Sequence, residues 1–192
     1  MFVAVVVMVI AWVITMYGRL VSLRNGFRSA FTHLDVQLRR RYDLIPNFVE
    51  TAKGYIAHER ETLDAVVAAR ASAVLAAQRA AAAPGGAPAM RDLAQAEAEL
   101  AGALRRLLVV AEVSPRLKAN ENMLALQDEL TSTDNRIAFT RQSYNDAVLD
   151  YDIRRERFPM SLVALAFAFA PAASLPATQT TGEPRTLRVA LR

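Results

Sequence analysis

His33 and His58 are the only histidines in the sequence, and no cysteine accompanies them. His58-Glu59 begins like the helical zinc motif of metalloproteases, in which a second histidine one turn later completes the ligand pair. Position 62 is a threonine, so this pair is missing. Neither histidine follows a glutamate at the Glu-x-x-His spacing of di-iron bundles. The sequence therefore predicts no metal site and no cofactor.

Other catalytic patterns are also incomplete. Pro84-Gly-Gly86 lacks the Gly-Lys-Ser/Thr that completes a phosphate-binding loop, so it predicts a connection between helices. The pairs Glu97/Glu99 and Asp150/Asp152 are spaced two residues apart, and such neighbours on a helix point in different directions. We interpret both pairs as solvated surface charges. We expect no catalytic residue and no enzyme activity.

One pair of charged residues falls on an otherwise apolar helical stripe. Asp134 and Arg141 both lie in it, and a buried charge is costly unless it is paired. We therefore predict a buried polar layer that comprises Arg40, Arg41, Asp134 and Arg141, with Asp35 and Glu50 as further candidates. In the alternative interpretation, the stems of Asp134 and Arg141 are buried and their charged ends reach solvent.

An uncharged apolar segment at the N-terminus would anchor the rest of the chain, which we call the body, at a membrane. Met1–Tyr17 would span roughly 25 Å as a helix, and the stem of Arg19 can extend to the interface of a hydrocarbon core of about 30 Å. We predict a single transmembrane helix at residues 1–19. A cleaved signal peptide is the alternative, but its basic start and small-residue cleavage site are missing.

The positive charge is concentrated directly after this segment. The chain carries a net charge of +4, yet residues 19–41 alone hold six arginines against Asp35. This local pattern does not indicate a nucleic-acid-binding protein. We expect Arg19, Arg24 and Arg28 to lie near lipid headgroups. The positive-inside rule then places the N-terminus outside and the body in the cytoplasm.

Apolar residues recur at helical spacing through residues 20–158. Asp43 is a candidate N-cap for a helix beginning at Leu44, which predicts a reversal of the chain at Pro46. Further reversals are predicted at Pro84–Pro88 and at Ser114-Pro115. The predicted fold class is all-α: a transmembrane helix followed by an antiparallel four-helix bundle. If Pro46 only kinks one long helix, three helices result.

Met160–Phe169 is apolar nearly all round but too short to cross a bilayer. We predict a short apolar helix at residues 159–170 and an irregular tail at 171–192. With four antiparallel helices, this short helix returns to the membrane side beside Leu20–Phe27. With three helices it lies at the far end, where it would need a protein partner.

Several motifs resemble the LemA family over roughly residues 17–171. They include Leu34-Asp-Val-Gln-Leu-Arg-Arg-Arg-Tyr-Asp-Leu-Ile-Pro-Asn47, Lys118-Ala-Asn-Glu-Asn122, Thr133-Asp-Asn-Arg-Ile-Ala138 and Tyr144-Asn-Asp-Ala-Val148. The resemblance implies an N-terminal membrane anchor, an antiparallel four-helix bundle and a membrane or envelope function, with a distant branch in magnetosome formation. It implies no catalytic residues. The chain departs from the family pattern after Ala168.

The favoured function is that of a scaffold or interaction module at the bacterial inner membrane. The protein would be a single-pass membrane protein. Its expected partners are the lipid bilayer and unidentified membrane or cytoplasmic proteins. Mutually neutralised charges explain the polar layer without chemistry, so an enzyme with a site in that layer is the weaker alternative. A membrane-shaping protein that binds lipid is the third. The sequence does not determine the oligomeric state.

Overall fold

The computed structural model describes residues 2–56 and 58–176, apart from the side chains of residues 116 and 118. All the regular secondary structure in these ranges is helical, which confirms the predicted all-α class. The helices are α1 (Phe2–Lys53), α2 (Arg60–Ala82), α3 (Ala87–Val113), α4 (Pro115–Lys118), α5 (Glu121–Glu156) and α6 (Met160–Ala166). Residues 177–192, most of the predicted tail, lie outside the described residues.

Helix α1 has two parts with different surroundings. Its 52 residues extend about 78 Å at 1.5 Å per residue. The first part is apolar and almost entirely exposed, and this helix is long and apolar enough to cross a membrane. From Leu20 onward α1 buries one stripe in the core: Leu20, Phe27, Phe31, Leu34, Leu38, Ile45 and Phe48. One helix therefore supplies both the apolar segment and the central core stripe.

The predicted reversal at Pro46 is wrong, because α1 continues through that residue to Lys53. Proline has no N–H to donate to the carbonyl four residues earlier, which is that of Tyr42. Arg70 on α2 replaces the missing donor: its Nε donates to the Tyr42 carbonyl at 2.6 Å. A tertiary contact thus satisfies the backbone group that Pro46 leaves unpaired.

The chain turns instead between the end of α1 and the start of α2, and again at residues 83–86 and 114–120. In the second turn Gly85 has a φ of +85°, and a Cβ there would lie 3.0 Å from the ring of Phe27. In the third, Pro115 begins the short α4, and α5 begins later, where the Asn120 side chain accepts a hydrogen bond from the Met123 N–H at 2.9 Å. The described residues therefore still contain four long helices, with the first turn moved to the connection between α1 and α2.

Helix α1 packs against α5, α2 and α6, and α2 packs against α3. The aromatic contacts between α1 and α5 join Phe27 to Tyr151, with ring centroids 5.2 Å apart, and Phe31 to Tyr144 at 5.5 Å. Residue numbers fall along α5 as they rise along α1. The core is therefore organised around α1.

Residues 170–175 lie against α5 through hydrogen bonds from side chains to the backbone. The hydroxyls of Tyr151 and Tyr144 donate to the carbonyls of Ala170 and Ala173 at 2.8 and 2.7 Å. The Asn145 amide both donates to and accepts from the Leu175 backbone. Burial raises the pKa of Tyr144 to about 12, so its hydroxyl stays protonated as a donor at neutral pH.

The same segment also reaches the turn between α2 and α3, because the Ala173 N–H donates to the Gly85 carbonyl at 2.8 Å. It contains no helix. The C-terminal segment therefore links α5 to the α2–α3 turn.

The Arg70 contact leads to a prediction about stability. Arg70→Met should lower the free energy of unfolding in detergent by about 1–3 kcal/mol, because it leaves the Tyr42 carbonyl without a donor. In a Pro46→Ala background the same change should cost less, because the N–H of the new alanine then bonds that carbonyl. A double-mutant cycle by denaturant unfolding measures the difference. Equal costs in both backgrounds would contradict this role for Arg70.

Candidate membrane interface and buried ion pair

Helix α6 packs beside α1 where the apolar segment of α1 ends. The rings of Phe167 and Phe169 lie 5.0 and 5.6 Å from the ring of Tyr17. The segment predicted to lie beside Leu20–Phe27 thus already contacts α1 at Tyr17, one turn earlier. Four apolar side chains on this part of the chain are exposed, and we call them the basal surface: Phe158, Leu162, Leu165 and Phe167.

The three arginines predicted near headgroups have different surroundings. Arg24 is half-buried, with its guanidinium 5.1 Å from the centroid of Phe169. A cation over an aromatic face is a favourable contact, so Arg24 holds the C-terminal segment against α1. Arg19 and Arg28 are exposed, and their contact with headgroups stays a prediction.

A buried ion pair joins α1 to α3. Glu97 accepts hydrogen bonds from the guanidinium of Arg41 through Oε2 and from the Tyr42 hydroxyl through Oε1, the latter at 2.6 Å. Arg41 and Glu97 are each 6% exposed, and Tyr42 is 2% exposed. A second Arg41 nitrogen, Nη1, donates to Asp134 on α5 at 3.1 Å. One guanidinium therefore connects three helices.

The charges of this cluster stabilise one another. Burial by itself lowers the pKa of Arg41, but the carboxylates of Glu97 and Asp134 outweigh it and raise that pKa above its ordinary value. Burial, and then the charge of Glu97, raise the pKa of Tyr42. Arg41 thus stays charged and Tyr42 stays a neutral donor at neutral pH.

The predicted polar layer is partly wrong. Arg40 is exposed and pairs with Glu129 at 2.9 Å. Arg141 is half-buried, and within the described residues it has no carboxylate within 4 Å, so the Asp134–Arg141 pair does not form. The Asp134 side chain is 55% exposed and lies at the edge of the cluster. Of the four predicted residues, Arg41 alone is buried, because a helical stripe fixes which face a residue takes but not the depth of its charged end.

Glu97 was misinterpreted as a surface charge, although the sequence contains a signal for it. It lies four residues after Leu93 and three before Leu100, on the apolar stripe of α3. Helical spacing therefore puts its side chain on the buried face. Glu99 is exposed and accepts a hydrogen bond from Gln95 at 3.0 Å, as expected for a solvated residue.

His33 and His58 are both exposed. In the part of the chain that the structure describes, no three histidine or acidic side chains converge in a way that could hold a metal ion.

The buried ion pair predicts a contrast between its two carboxylates. Glu97→Ala should lower the free energy of unfolding by about 3–5 kcal/mol, because it leaves the Arg41 charge buried without its main partner. The matched control Asp134→Ala should cost less than about 1 kcal/mol, because that carboxylate is largely solvated. Denaturant unfolding of the detergent-solubilised chain measures both. Equal losses would show that Glu97 does not hold the cluster.

Comparison with known proteins supplies the family. No curated protein matches the chain. The family model for the LemA family matches residues 30–188. That range includes most of the C-terminal segment that was interpreted as departing from the family pattern. Because the match covers most of the sequence, the chain belongs to the LemA family.

Proposed function

We propose that this protein is a membrane-anchored scaffold that holds a helical bundle at the bacterial inner membrane and presents it to other proteins. One observation carries the proposal: α1 runs without a break from an exposed apolar segment into the centre of the core. A membrane-spanning segment must satisfy its backbone hydrogen bonds internally, as a helix does. Because the same helix continues into the core, the bundle is held rigidly relative to the bilayer.

We infer that the body is an antiparallel four-helix bundle of the later part of α1 with α2, α3 and α5. The Arg70–Tyr42 contact supports the return of α2 along α1. The pair Arg79–Asp92, at 3.8 Å, supports the return of α3 along α2. The contacts of Phe27 with Tyr151 and of Phe31 with Tyr144 support the return of α5.

The orientation that we propose has the N-terminus outside and the body in the cytoplasm. It rests on the arginines that follow the apolar segment, of which Arg19 and Arg28 are exposed. The positive-inside rule places such residues on the cytoplasmic side.

We propose a scaffold rather than an enzyme because the cluster suited to chemistry is enclosed. The two terminal nitrogens of Arg41, the Tyr42 hydroxyl and both Glu97 oxygens bond one another and Asp134. A substrate could not reach them without separation of the helices. Their arrangement fits a structural ion pair, which keeps α1 and α3 in one register.

A groove between α1 and α5 is the surface that we propose for a protein partner. It has a volume of about 370 Å³ and is lined by Gln37, Ser132, Asn135, Arg136, Phe139 and Thr140. Phe139 is 74% exposed there, among polar side chains. An aromatic residue within a polar rim, with an arginine beside it, matches the composition of protein–protein interfaces.

Photocrosslinking in intact membranes tests this surface. With a photoreactive residue at Asn135 we expect a covalent adduct with another protein. Phe139→Ser in the same chain should reduce the adduct strongly, because it removes the apolar anchor. The control places the photoreactive residue at the exposed Leu75 on α2, where this adduct should not form. An adduct that survives Phe139→Ser, or no protein adduct at Asn135, would refute the proposed surface.

The orientation has its own test, helped by the absence of cysteine from the sequence. In the Ser132→Cys variant, a membrane-impermeant maleimide should label the exposed position only after the inner membrane is disrupted. A cysteine appended before Met1 should instead be labelled in intact cells. The reverse pattern would place the body outside the cytoplasm.

A further inference from the structure

A second groove lies where α1 leaves its apolar segment, and we call it the basal groove. Its volume is about 340 Å³, within the range of small-molecule sites. It is bounded by the end of the apolar part of α1, the last turns of α5 and the start of α6. Its lining residues are Met16, Arg19, Asp150, Ile153, Arg154, Arg157, Phe158, Pro159 and Met160.

The basal groove has an excess of positive charge. Three arginines line it against one carboxylate, Asp150. Arg154 donates one Nε–H to Asp150 at 2.8 Å, and a guanidinium has five N–H donors in all. Within the described residues, neither Arg19 nor Arg157 has a carboxylate within 4 Å. The groove can therefore hold an anion between guanidinium groups.

The other side chains that line the groove are mostly apolar, and two of them are largely exposed. Phe158 is 75% exposed and Ile153 is 54% exposed. Beyond them α6 continues the basal surface, where Leu165 is 83% exposed. Exposed apolar side chains of this size beside a cluster of arginines are unfavourable in water, and they suit the boundary between headgroups and acyl chains.

The depth of the groove along α1 matches this boundary. Arg19 follows Phe2 by seventeen positions on one continuous helix, which is about 26 Å at 1.5 Å per residue. A hydrocarbon core is about 30 Å thick. When the apolar segment lies in the bilayer, the backbone of Arg19 therefore lies near the edge of the hydrocarbon, from which its long side chain can extend to the lipid phosphates, and Met16 lies inside the hydrocarbon.

We propose that the basal groove binds an anionic glycerophospholipid. The phosphodiester lies between the guanidiniums of Arg19, Arg154 and Arg157, since arginine matches phosphate oxygens with paired N–H donors. An acyl chain lies along Met16, Ile153 and Phe158. Charged and apolar side chains lie at one depth in the bilayer. A lipid would contact both, whereas a free phosphate ion would contact only the charged ones. The proposal rests on the membrane anchorage of the proposed function and not on its protein partner.

Thermal unfolding of the detergent-solubilised full chain, titrated with lipid, tests the site. Short-chain phosphatidylglycerol should raise the midpoint, whereas phosphatidylcholine of the same chain length and inorganic phosphate at the same concentration should not. The double variant Arg19→Gln, Arg157→Gln should bind phosphatidylglycerol at least about tenfold more weakly, because two charge-assisted contacts are lost. Equal stabilisation by phosphatidylcholine, or by inorganic phosphate, would overturn the proposal.

Two further variants separate a built site from general electrostatic attraction. Arg105→Gln, Arg106→Gln on α3 removes the same charge from exposed positions outside the groove and should leave binding unchanged; a comparable loss would overturn the proposal. Asp150→Asn removes the competing carboxylate and should tighten binding, which keeps the test decisive if the arginine variant fails to fold. Unchanged or weaker binding by Asp150→Asn would count against the site. None of these measurements requires a protein partner, so a failed crosslink at Asn135 would leave the lipid result standing.

Discussion

The continuity of α1 is the constraint on which the rest of the structure depends. A segment that crosses a bilayer has no water to satisfy its backbone, so it must remain helical. In this chain the helix does not stop at the end of the apolar segment, and it supplies the central stripe of the core from Leu20 to Phe48. Every other long helix is arranged around it or around its direct neighbours. The path of one helix therefore relates the apolar segment to the rest of the body.

This continuity creates a problem at Pro46 that the fold solves with a side chain from another helix. The carbonyl of Tyr42 loses its normal donor, and Arg70 supplies one. The preceding residue, Arg41, contacts Glu97 and Asp134. Adjacent residues of α1 therefore contact three helices through polar groups. Buried polar contacts require a particular register, so this level of α1 fixes how α2, α3 and α5 align along it.

The opposite end of the body is held by aromatic rings and by the C-terminal segment. Phe27 contacts Tyr151 and lies close to Gly85, while Ala173 bonds the Gly85 carbonyl. Tyr17, Arg24 and the rings of Phe167 and Phe169 continue this packing towards the apolar segment. This end of the body is thus built from residues far apart in the sequence. It exposes apolar side chains beside arginines.

The sequence by itself determined the helical class, the apolar N-terminal segment and the LemA resemblance, because each depends on local spacing or on short motifs. Helical periodicity also placed Phe27, Phe31 and Tyr144 on buried faces. It could have placed Glu97 there, since that residue shares the stripe of Leu93 and Leu100. Local signals failed at Pro46, where a cap and a proline indicate a new helix but Arg70, distant in sequence, stabilises the continuing one.

Only the tertiary structure decided which charges meet and how deep they lie. Arg40 and Arg41 are neighbours with the same chemistry, yet one is exposed beside Glu129 and the other is buried with Glu97. The basal groove likewise combines Arg19 with Arg154 and Arg157, more than a hundred residues later. Spacing along one helix fixes only the direction of a side chain. Its partners and its access to solvent depend on which other helix packs against that face.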